Sequence, residues 1–277
     1  MHHGVLVVIG TGRTGQAAAR RMGSGRPVLL ADEDGERLIA AGCRLEGDNF
    51  QVSAQRVDVS APASVAALAR RATTLGPVAH VVHTADLSPV QKDIRAVLSV
   101  DMLGVALVEE FGQVVEPGAA GVIIAGVAGH GYAPRLTAEE RWQLRHTPAR
   151  ELPSLPVAQE KNFTDPGQAY GFAKCASHLR VQETARSWGA RGARINTVSP
   201  GVLSAPIGQA EPTSPHSETM RTVLATSPVP RLGTLEDIAA TTEFLLGPAA
   251  GFITGVDLLV DGGFTSVLAD LPPAPHQ

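Results

Sequence analysis

Seven short runs rich in Val, Ile and Leu recur along the chain and predict the strands of one buried sheet. In order they read GVLVVIG, RPVLLAD, FQVSAQRVDV, VAHVVHTA, GVIIAG, ARINTVSPG and VDLLVDGG. Nearly continuous apolar runs are typical of parallel strands that helices cover on both faces. We therefore expect a parallel sheet in the interior of the molecule.

Segments with helical spacing of apolar residues separate these runs. They are Gly15–Met22, Ala63–Leu75, Lys92–Val115, Ala169–Trp188 and Leu235–Leu246. A regular alternation of strand and helix predicts a doubly wound α/β fold with helices on both faces of the sheet. The alternation continues through the chain without an internal repeat, so we predict a single domain over residues 1–277.

Two segments interrupt the alternation. Residues 130–168 are long and rich in proline, although Thr137 and Glu140 form a capping-box pattern that predicts one helix start. Residues 204–227 form a second loose segment, and residues 269–277 are expected to be a flexible tail. Long insertions in compact domains are often binding loops, so we predict a lid at 130–168 and a substrate loop at 204–227. A decorative surface loop is the alternative.

Composition narrows the class of protein. A net charge of -4 and an aromatic content of 4% argue against a surface for nucleic acid. Cys43 and Cys175 match neither a disulfide framework nor a metal-binding spacing, and they fit a reducing cytosol. The apolar run near the N-terminus is too short for a signal peptide or a membrane span. We expect a soluble cytoplasmic protein with no metal, nucleic-acid or membrane partner.

A glycine-rich turn lies between the first strand and the first helix. Its glycines follow the spacing G-x-G-x-x-G. The first permits a tight turn, the second lets the backbone approach a pyrophosphate, and the third allows close packing of helix on strand. The helix N-terminus then offers free N–H groups to phosphates. The predicted dinucleotide site comprises Gly10, Gly12, Arg13, Thr14 and Gly15.

Carboxylates follow the second and third strands. Asp32 ends the second strand, where a carboxylate accepts hydrogen bonds from the adenine-ribose diol and repels a 2′-phosphate. This favours NAD(H) over NADP(H) as the cofactor. Asp58 and Val59 end the third strand, at a place where a carboxylate can meet an adenine amino group. Capping of the next helix is the alternative role for Asp58.

A tyrosine and a lysine share one face of a predicted helix. Tyr170 and Lys174 are four residues apart in the stretch YGFAK, after the long insertion. An ammonium beside a phenol favours the phenolate and lowers the phenol pKa. The pair is therefore a candidate for acid–base chemistry near neutral pH.

Taken together, these motifs resemble those of the short-chain dehydrogenase/reductase family. IGTGRTG, Asp32, VDVS, HTAD, YGFAK, RINTVSPG and FITGVDLLVDGG occur in the family's order over almost the whole chain. The resemblance implies a Rossmann sheet of about seven strands and hydride transfer between a nicotinamide cofactor and a carbonyl or an alcohol. It also implies a homodimer or homotetramer, often paired through the two long helices, here Lys92–Val115 and Ala169–Trp188.

The resemblance also implies roles for individual residues. Tyr170 would be the general acid and base, and Lys174 would lower its pKa and hold the nicotinamide ribose. Pro200 and Gly201 would line the nicotinamide, and Thr84 with Ala85 would lie beside the cofactor.

Several positions depart from the family pattern. A serine that polarises the substrate oxygen is expected three residues before Gly129, where this chain has Gly126. The glycine of the family's N-A-G motif is Asp86, and the asparagine of the following helix is Asp101. A threonine after Pro200-Gly201 is replaced by Ala205, with Ser204 one place away, and the glycine-rich loop is one residue shorter than usual.

Another side chain in the insertion can in principle replace the missing hydroxyl. Thr137, Tyr132 and His130 are the candidates, with an ordinary surface role as the alternative for each. His80 and His83 belong to the fourth strand, and we expect them to be packed in the sheet rather than to act as ligands.

Three functions remain open from the sequence. The first is an NAD(H)-dependent oxidoreductase that lacks the family serine. The second is a dehydratase, isomerase or cyclase that uses Tyr170 and Lys174 as acid and base. The third is a non-catalytic binding protein, against which the intact Tyr170 and Lys174 pair argues. Small residues over Gly126–Gly131 and the long insertion favour a bulky substrate, such as a polycyclic or specialised metabolite.

Overall fold

A computed structural model describes residues 4–87, 93–102, 104, 107–204 and 222–270. Its centre is one seven-stranded sheet in the order β3-β2-β1-β4-β5-β6-β7, and every neighbouring pair is parallel. The strands are β1 (Val5–Ile9), β2 (Pro27–Asp32), β3 (Gln51–Arg56), β4 (Val78–His83), β5 (Val115–Ile124), β6 (Arg194–Pro200) and β7 (Asp257–Val260). The predicted doubly wound α/β fold is confirmed.

Helices cover both faces of the sheet. Successive residues of a strand point to opposite faces, and in this sheet the residues on both faces are apolar. Val7 and Ile9 face a cluster that includes Trp188, whereas Leu6 and Val8 face the opposite cluster. The helices are α1 (Arg13–Met22), α2 (Gly35–Gly47), α3 (Pro62–Leu75), α4 (Ile94–Val97), α5 (Leu107–Gly112), α6 (Val127–Tyr132), α7 (Ala138–His146), α8 (Pro166–Ala190), α9 (Leu235–Leu246) and α10 (Phe264–Asp270). Helices α3, α5 and α8 lie on one face, and α1, α2 and α9 lie on the other.

The predicted helix Lys92–Val115 is wrong as a single element. Helix α4 passes into a π-helical segment at Leu98–Met102, and α5 is a separate helix that ends at Gly112. Val115 is already the first residue of β5. A π-helical turn carries one extra residue per hydrogen-bonded turn, and such turns are frequent at functional sites. This one carries Asp101.

The insertion folds against α8 rather than extending into solvent. Thr137 caps α7 through the predicted capping box with Glu140. Short 3-10 turns follow at Ala149–Ser154, Pro156–Ala158 and Glu160–Asn162. Leu144 and Phe163 from this segment join Phe172 of α8 in a third apolar cluster. A lid function for 130–168 stays a prediction.

Some predictions fall on residues that the structure does not describe. These are Ala205 and most of the predicted substrate loop, at 205–221, together with 271–277 of the predicted tail. Among the described helices, none combines the length and apolar character that a membrane span requires.

Candidate active site

The predicted site residues converge at the carboxyl ends of the strands. The glycine-rich turn follows β1, Asp32 ends β2, and Thr84 and Ala85 follow β4. Strands β1 and β4 are neighbours although β2 follows β1 in the chain. The strand order reverses at this point, and ligands of open α/β sheets bind in the crevice that such a reversal creates.

Each glycine of the turn has a different steric reason. Gly10 has a φ of 93°, and a Cβ there would lie 2.5 Å from the amide nitrogen of Ala85. A Cβ at Gly15 would overlap the carbonyl oxygen of Gly10. A Cβ at Gly12 would meet nothing within 4 Å. The turn is therefore closed on the sheet side and open at Gly12, which is the shape that a pyrophosphate needs.

The residue that follows β4 supports the glycine-rich turn through hydrogen bonds. The Thr84 hydroxyl donates to the carbonyl oxygen of Gly10 at 2.9 Å, and the Thr84 amide donates to that of Ile9 at 2.7 Å. At the start of α1, Arg13 donates to the carbonyl oxygen of Ser204 at 3.4 Å. Thr14 is half-buried in the first turn of the helix.

Asp32 is buried and already has several hydrogen-bond donors. Its carboxylate accepts from the Thr11 amide and hydroxyl at 2.6 and 2.8 Å, and from Arg37 at 2.6 Å. Burial acts to raise the pKa of Asp32, but the hydrogen bonds from Arg37 and Thr11 outweigh it, so this pKa lies below the usual value. The ion pair with Arg37 was not expected from the sequence. The half-exposed guanidinium of Arg37 therefore lies beside the Asp32 carboxylate, which we predicted to repel a 2′-phosphate.

Asp58 does not accept from the amides of α3. Its carboxylate accepts from the amide and hydroxyl of Ser60 at 2.9 and 2.6 Å, whereas the N-cap of α3 is Ala61. The alternative helix-cap role for Asp58 is therefore wrong. Val59 is buried beside it.

Tyr170 and Lys174 lie on one face of α8, as predicted, but two carboxylates surround them. The Lys174 ammonium is 3.0 Å from an oxygen of Asp101 and 3.4 Å from one of Asp86. The Tyr170 hydroxyl donates to Asp86 at 3.3 Å. Lys174 is fully enclosed, whereas the Asp86 side chain is 42% exposed. The cluster joins α8, the loop after β4 and the π-helical turn.

The charges in this cluster reverse one expectation. Lys174 alone acts to lower the phenol pKa, but burial and the charges of Asp86 and Asp101 outweigh it, so the pKa of Tyr170 is raised. The prediction of a lowered phenol pKa is therefore wrong for this arrangement. Burial also raises the pKa of Asp101 to about 6, in spite of Lys174. The pKa of Lys174 is raised because its anionic partners outweigh its burial.

The run of small residues after β5 serves two purposes. A Cβ at Gly126 would lie 3.8 Å from the Tyr170 hydroxyl, which is an ordinary contact distance. Gly126 has a φ of 167°, an extended conformation that any residue adopts. A Cβ at Gly129 would lie 2.7 Å from Cε1 of His178 and 2.8 Å from the Cys175 amide. Gly126 thus leaves space beside Tyr170, while Gly129 permits α6 to pack closely on α8.

The three candidates for a replacement hydroxyl or imidazole have other contacts. Thr137 caps α7, the Tyr132 ring packs on Phe172, and His130 contacts Asp257 at 2.6 Å. These contacts give each a structural role.

The two histidines of β4 are packed in the sheet, as expected. Burial lowers the pKa of His83 to about 3 and that of His80 to about 4, so both rings are neutral at physiological pH.

A family model described as Enoyl-(Acyl carrier protein) reductase matches residues 156–265. A short-chain dehydrogenase/reductase from Alternaria brassicicola, bsc3, is 36% identical over 97% of this chain and 98% of its own length. The chain belongs to the short-chain dehydrogenase/reductase family. It is accordingly an oxidoreductase of the type that acts on alcohols and carbonyls with a nicotinamide cofactor.

Two further relatives carry steroid names. The 3-alpha-hydroxysteroid dehydrogenase/carbonyl reductase of Comamonas testosteroni is 27% identical over 68% of this chain and 73% of its own length. The solved 3-alpha-hydroxysteroid dehydrogenase of Pseudomonas sp. B-0831, complexed with NADH, has a TM-score of 0.73 at 24% identity. That comparison covers 97% of this chain and 100% of the solved one, so the short-chain dehydrogenase/reductase fold extends over nearly the whole chain.

The family's cofactor fits the residues of this chain. The glycine-rich turn is open only where Gly12 leaves space, and the buried Asp32 carboxylate lies at the end of the neighbouring strand. At the other side of the cleft, a Cβ at Gly201 would lie 2.7 Å from the Cβ of Asp261, so the chain after Pro200 is held close to the loop after β7. These residues would hold the nucleotide along the carboxyl ends of β1, β2 and β6.

Proposed function

We propose that this short-chain dehydrogenase/reductase reduces a carbonyl group of a bulky small molecule with NADH. The observation that carries the proposal is the hydroxyl of the half-buried Tyr170, which donates to Asp86 at 3.3 Å. Because the phenol pKa is raised, nearly every enzyme molecule holds the phenol proton at neutral pH. A group in that state is a proton donor, which carbonyl reduction requires.

Each residue of the cluster around Tyr170 has its own role in the proposed reduction. The bound nicotinamide supplies the hydride. Tyr170 donates its proton to the substrate oxygen as negative charge develops there. Lys174 holds a positive charge beside the phenol, and Asp101 fixes the ammonium from the enclosed side at 3.0 Å. Asp86 is 42% exposed, so it can return a proton from solvent to Tyr170 after each turnover.

NADH is proposed over NADPH because Asp32 keeps its negative charge at the end of β2. Its lowered pKa means that the carboxylate is ionised at any physiological pH. The half-exposed Arg37 is the feature that opposes this preference, since a guanidinium near the ribose can accommodate a 2′-phosphate. The preference therefore depends on whether Arg37 stays paired with Asp32 when the nucleotide binds.

A bulky substrate is proposed from space and from the relatives. The backbone at Gly126 leaves room beside Tyr170, and a Cβ at Gly131 would meet nothing within 4 Å. Two of the relatives are named for steroids, which are rigid polycyclic molecules. The insertion at 130–168 begins beside this space and would cover a bound substrate.

A homodimer or homotetramer is proposed, with the contact at the β7 edge of the sheet. Strand β7 has a neighbour on one side only, and Phe252, Val256, Leu258 and Leu259 near it are exposed. Unpaired strand edges with apolar side chains are natural sites of association. The pairing through α8 that the resemblance implied is less favoured, because α8 is buried against α6 and α7 of its own chain.

An acid–base reaction without net redox is the second candidate, since Tyr170 and Asp86 are close enough to exchange a proton. The test is NADH oxidation with a panel of ketones that includes steroid ketones, using the unaltered chain and Tyr170→Phe. We expect turnover of a bulky ketone that Tyr170→Phe reduces by at least about a hundredfold, the usual value of a positioned proton donor. Substrate conversion without NADH consumption would instead favour the second candidate, and unchanged turnover in Tyr170→Phe would exclude the assigned proton donor.

A further inference from the structure

Two histidines and an aspartate from three separate elements meet beside the catalytic helix. His130 lies on α6, His178 lies on α8 one turn after Lys174, and Asp257 is the first residue of β7. Nε2 of His130 is 2.6 Å from one carboxylate oxygen of Asp257, and Nε2 of His178 is 3.4 Å from the other. One ligand atom from each residue lies within 4.8 Å of the other two.

The carboxylate at the centre of this group is held in a fixed orientation. Oδ1 of Asp257 accepts from the Thr197 hydroxyl at 2.6 Å and from the Ser199 hydroxyl at 2.9 Å. His178 in turn contacts the Ser199 hydroxyl at 2.9 Å. Metal-binding carboxylates are characteristically oriented by such outer hydrogen bonds, whereas the contact of Ser199 is with Nε2 of His178 itself and must open for that atom to bind an ion.

The group is enclosed on one side and open to solvent on the other. The side chains of His178 and Asp257 are 9% and 8% exposed, whereas that of His130 is 33% exposed. Gly129 leaves the space for the His178 ring, since a Cβ there would lie 2.7 Å from its Cε1 atom. An ion can therefore reach the enclosed pair from the side of His130.

We propose that His130, His178 and Asp257 bind one divalent transition-metal ion of the zinc type. Two imidazoles and one carboxylate are a ligand set that Zn²⁺ accepts, with bonds of about 2.0–2.2 Å and a fourth position left for water. Donor atoms around such an ion lie roughly 3 to 4 Å apart, so the widest pair must draw together while His130 and Asp257, which are 2.6 Å apart, must separate slightly. His130 is the partner with room to move, because it is the exposed member.

The site goes beyond the proposed carbonyl reduction and does not depend on it. A bound ion would fasten α6 and α8 to β7 next to Lys174, and so stabilise the helix that carries Tyr170. The sequence predicted no metal site because its ligands are far apart in the chain and belong to no spacing motif. The competing explanation is a hydrogen-bonded group in which Asp257 alone joins the two rings.

Metal binding is tested on the tag-free full chain after treatment with a chelator. His2→Ala and His3→Ala are included in every sample, because imidazoles near the N-terminus can bind metal independently. Zn²⁺ is titrated calorimetrically, and Co²⁺ is followed by its visible absorption. We expect one equivalent of Zn²⁺ per chain, a four-coordinate Co²⁺ spectrum and a rise in the thermal midpoint on addition of Zn²⁺.

Matched variants decide between the two explanations. His130→Gln should weaken Zn²⁺ binding by more than about tenfold and abolish the thermal shift. Thr197→Val removes the hydroxyl that donates to Asp257 at 2.6 Å and should weaken binding by about 10- to 100-fold. His146→Gln is the control, since His146 also lies beside a carboxylate, that of Glu183 at 3.4 Å, but on the surface. Circular dichroism of each variant confirms its fold. The proposal is overturned if the parent chain binds Zn²⁺ no more tightly than the His130→Gln chain, or if His146→Gln has the larger effect.

Discussion

At the scale of single residues, the charge state of Tyr170 is set by Asp86 and Asp101 as well as by Lys174. The family pattern has glycine and asparagine at these two positions, so this chain carries two additional carboxylates beside one ammonium. The ammonium is shared between them and stabilises the phenolate less. The raised phenol pKa follows first from desolvation of the hydroxyl and then from the charges of Asp86 and Asp101.

Gly126→Ser should accelerate carbonyl reduction. The new Cβ fits, because its nearest neighbours are the Tyr170 hydroxyl at 3.8 Å and Cγ of Lys174 at 3.9 Å. A well-placed donor to a developing oxyanion is worth about 3 kcal/mol, and a gain on the order of tenfold is realistic in a site that is not shaped for it. Steady-state reduction of a ketone panel with NADH measures the effect.

Gly126→Ala is the matched control, since it adds the same Cβ without a hydroxyl. An equal change of rate in both variants would mean that space, and not a missing hydrogen-bond donor, limits the reaction. A slower native reaction with no gained reduction in Gly126→Ser would contradict the proposed oxidoreductase activity.

Cofactor preference at Asp32 is tested by binding titrations with NADH and NADPH. NADH should bind more tightly to the unaltered chain, and Asp32→Ala should weaken NADH and reduce the difference between the two nucleotides. Arg37→Ala separates the two charges. If Arg37 remains paired with Asp32, the Arg37→Ala variant keeps the preference for NADH. The opposite result is that the unaltered chain binds NADPH more tightly and that Arg37→Ala loses this tighter binding. That result would show that Arg37 holds the 2′-phosphate.

At the scale of elements, the close packing of α6 on α8 aligns the catalytic face. Gly129 lies against the backbone of Lys174 and Cys175, with 2.8 Å between its virtual Cβ and the Cys175 amide. The small residues after β5 thus position a helix as well as leave space for a substrate. Sequence reasoning assigned the whole run to substrate volume because it cannot show which helix lies opposite.

Gly129→Ala should destabilise the fold, by roughly 1–3 kcal/mol, because overpacking a buried contact forces its neighbours to move. Gly131→Ala on the same helix is the matched control. Its Cβ would meet nothing within 4 Å, and alanine is the better helix former, so its stability should stay the same or rise. Urea unfolding measures both, and a Gly129→Ala chain as stable as Gly131→Ala would contradict the packing described for α6.

The elements also show where the sequence was ambiguous. Helix α2 was not predicted, although Asp34 is its N-cap and Leu38, Ala41 and Leu45 are buried at helical spacing. Its three glycines obscured that signal, since glycine is a poor helix former. The sequence also did not show that helix α4 passes into a π-helical segment at Leu98–Met102.

At the scale of the whole molecule, the fold was predictable because strand signals recur along the chain and helical signals separate most of them. The apolar runs required a sheet covered on both faces, and that requirement leaves few arrangements. The positions of Tyr170, Lys174 and the glycines followed from the same order. The sequence did not show which charged side chains meet, such as Asp86 with Tyr170, Arg37 with Asp32 and His130 with Asp257. Such pairs depend on side-chain direction and on how separate elements pack, which local pattern does not determine.

Desolvation and the Asp86 carboxylate together keep Tyr170 in its protonated form. The most direct measurement is the pH dependence of alcohol oxidation and carbonyl reduction by the unaltered chain and by Asp86→Gly. Oxidation needs the phenolate and therefore rises with pH through the phenol pKa, whereas reduction needs the phenol and falls through it. Removing the carboxylate lowers this pKa, so both midpoints should move to lower pH in Asp86→Gly. Identical midpoints in the two proteins, or a shift to higher pH in the variant, would contradict the account.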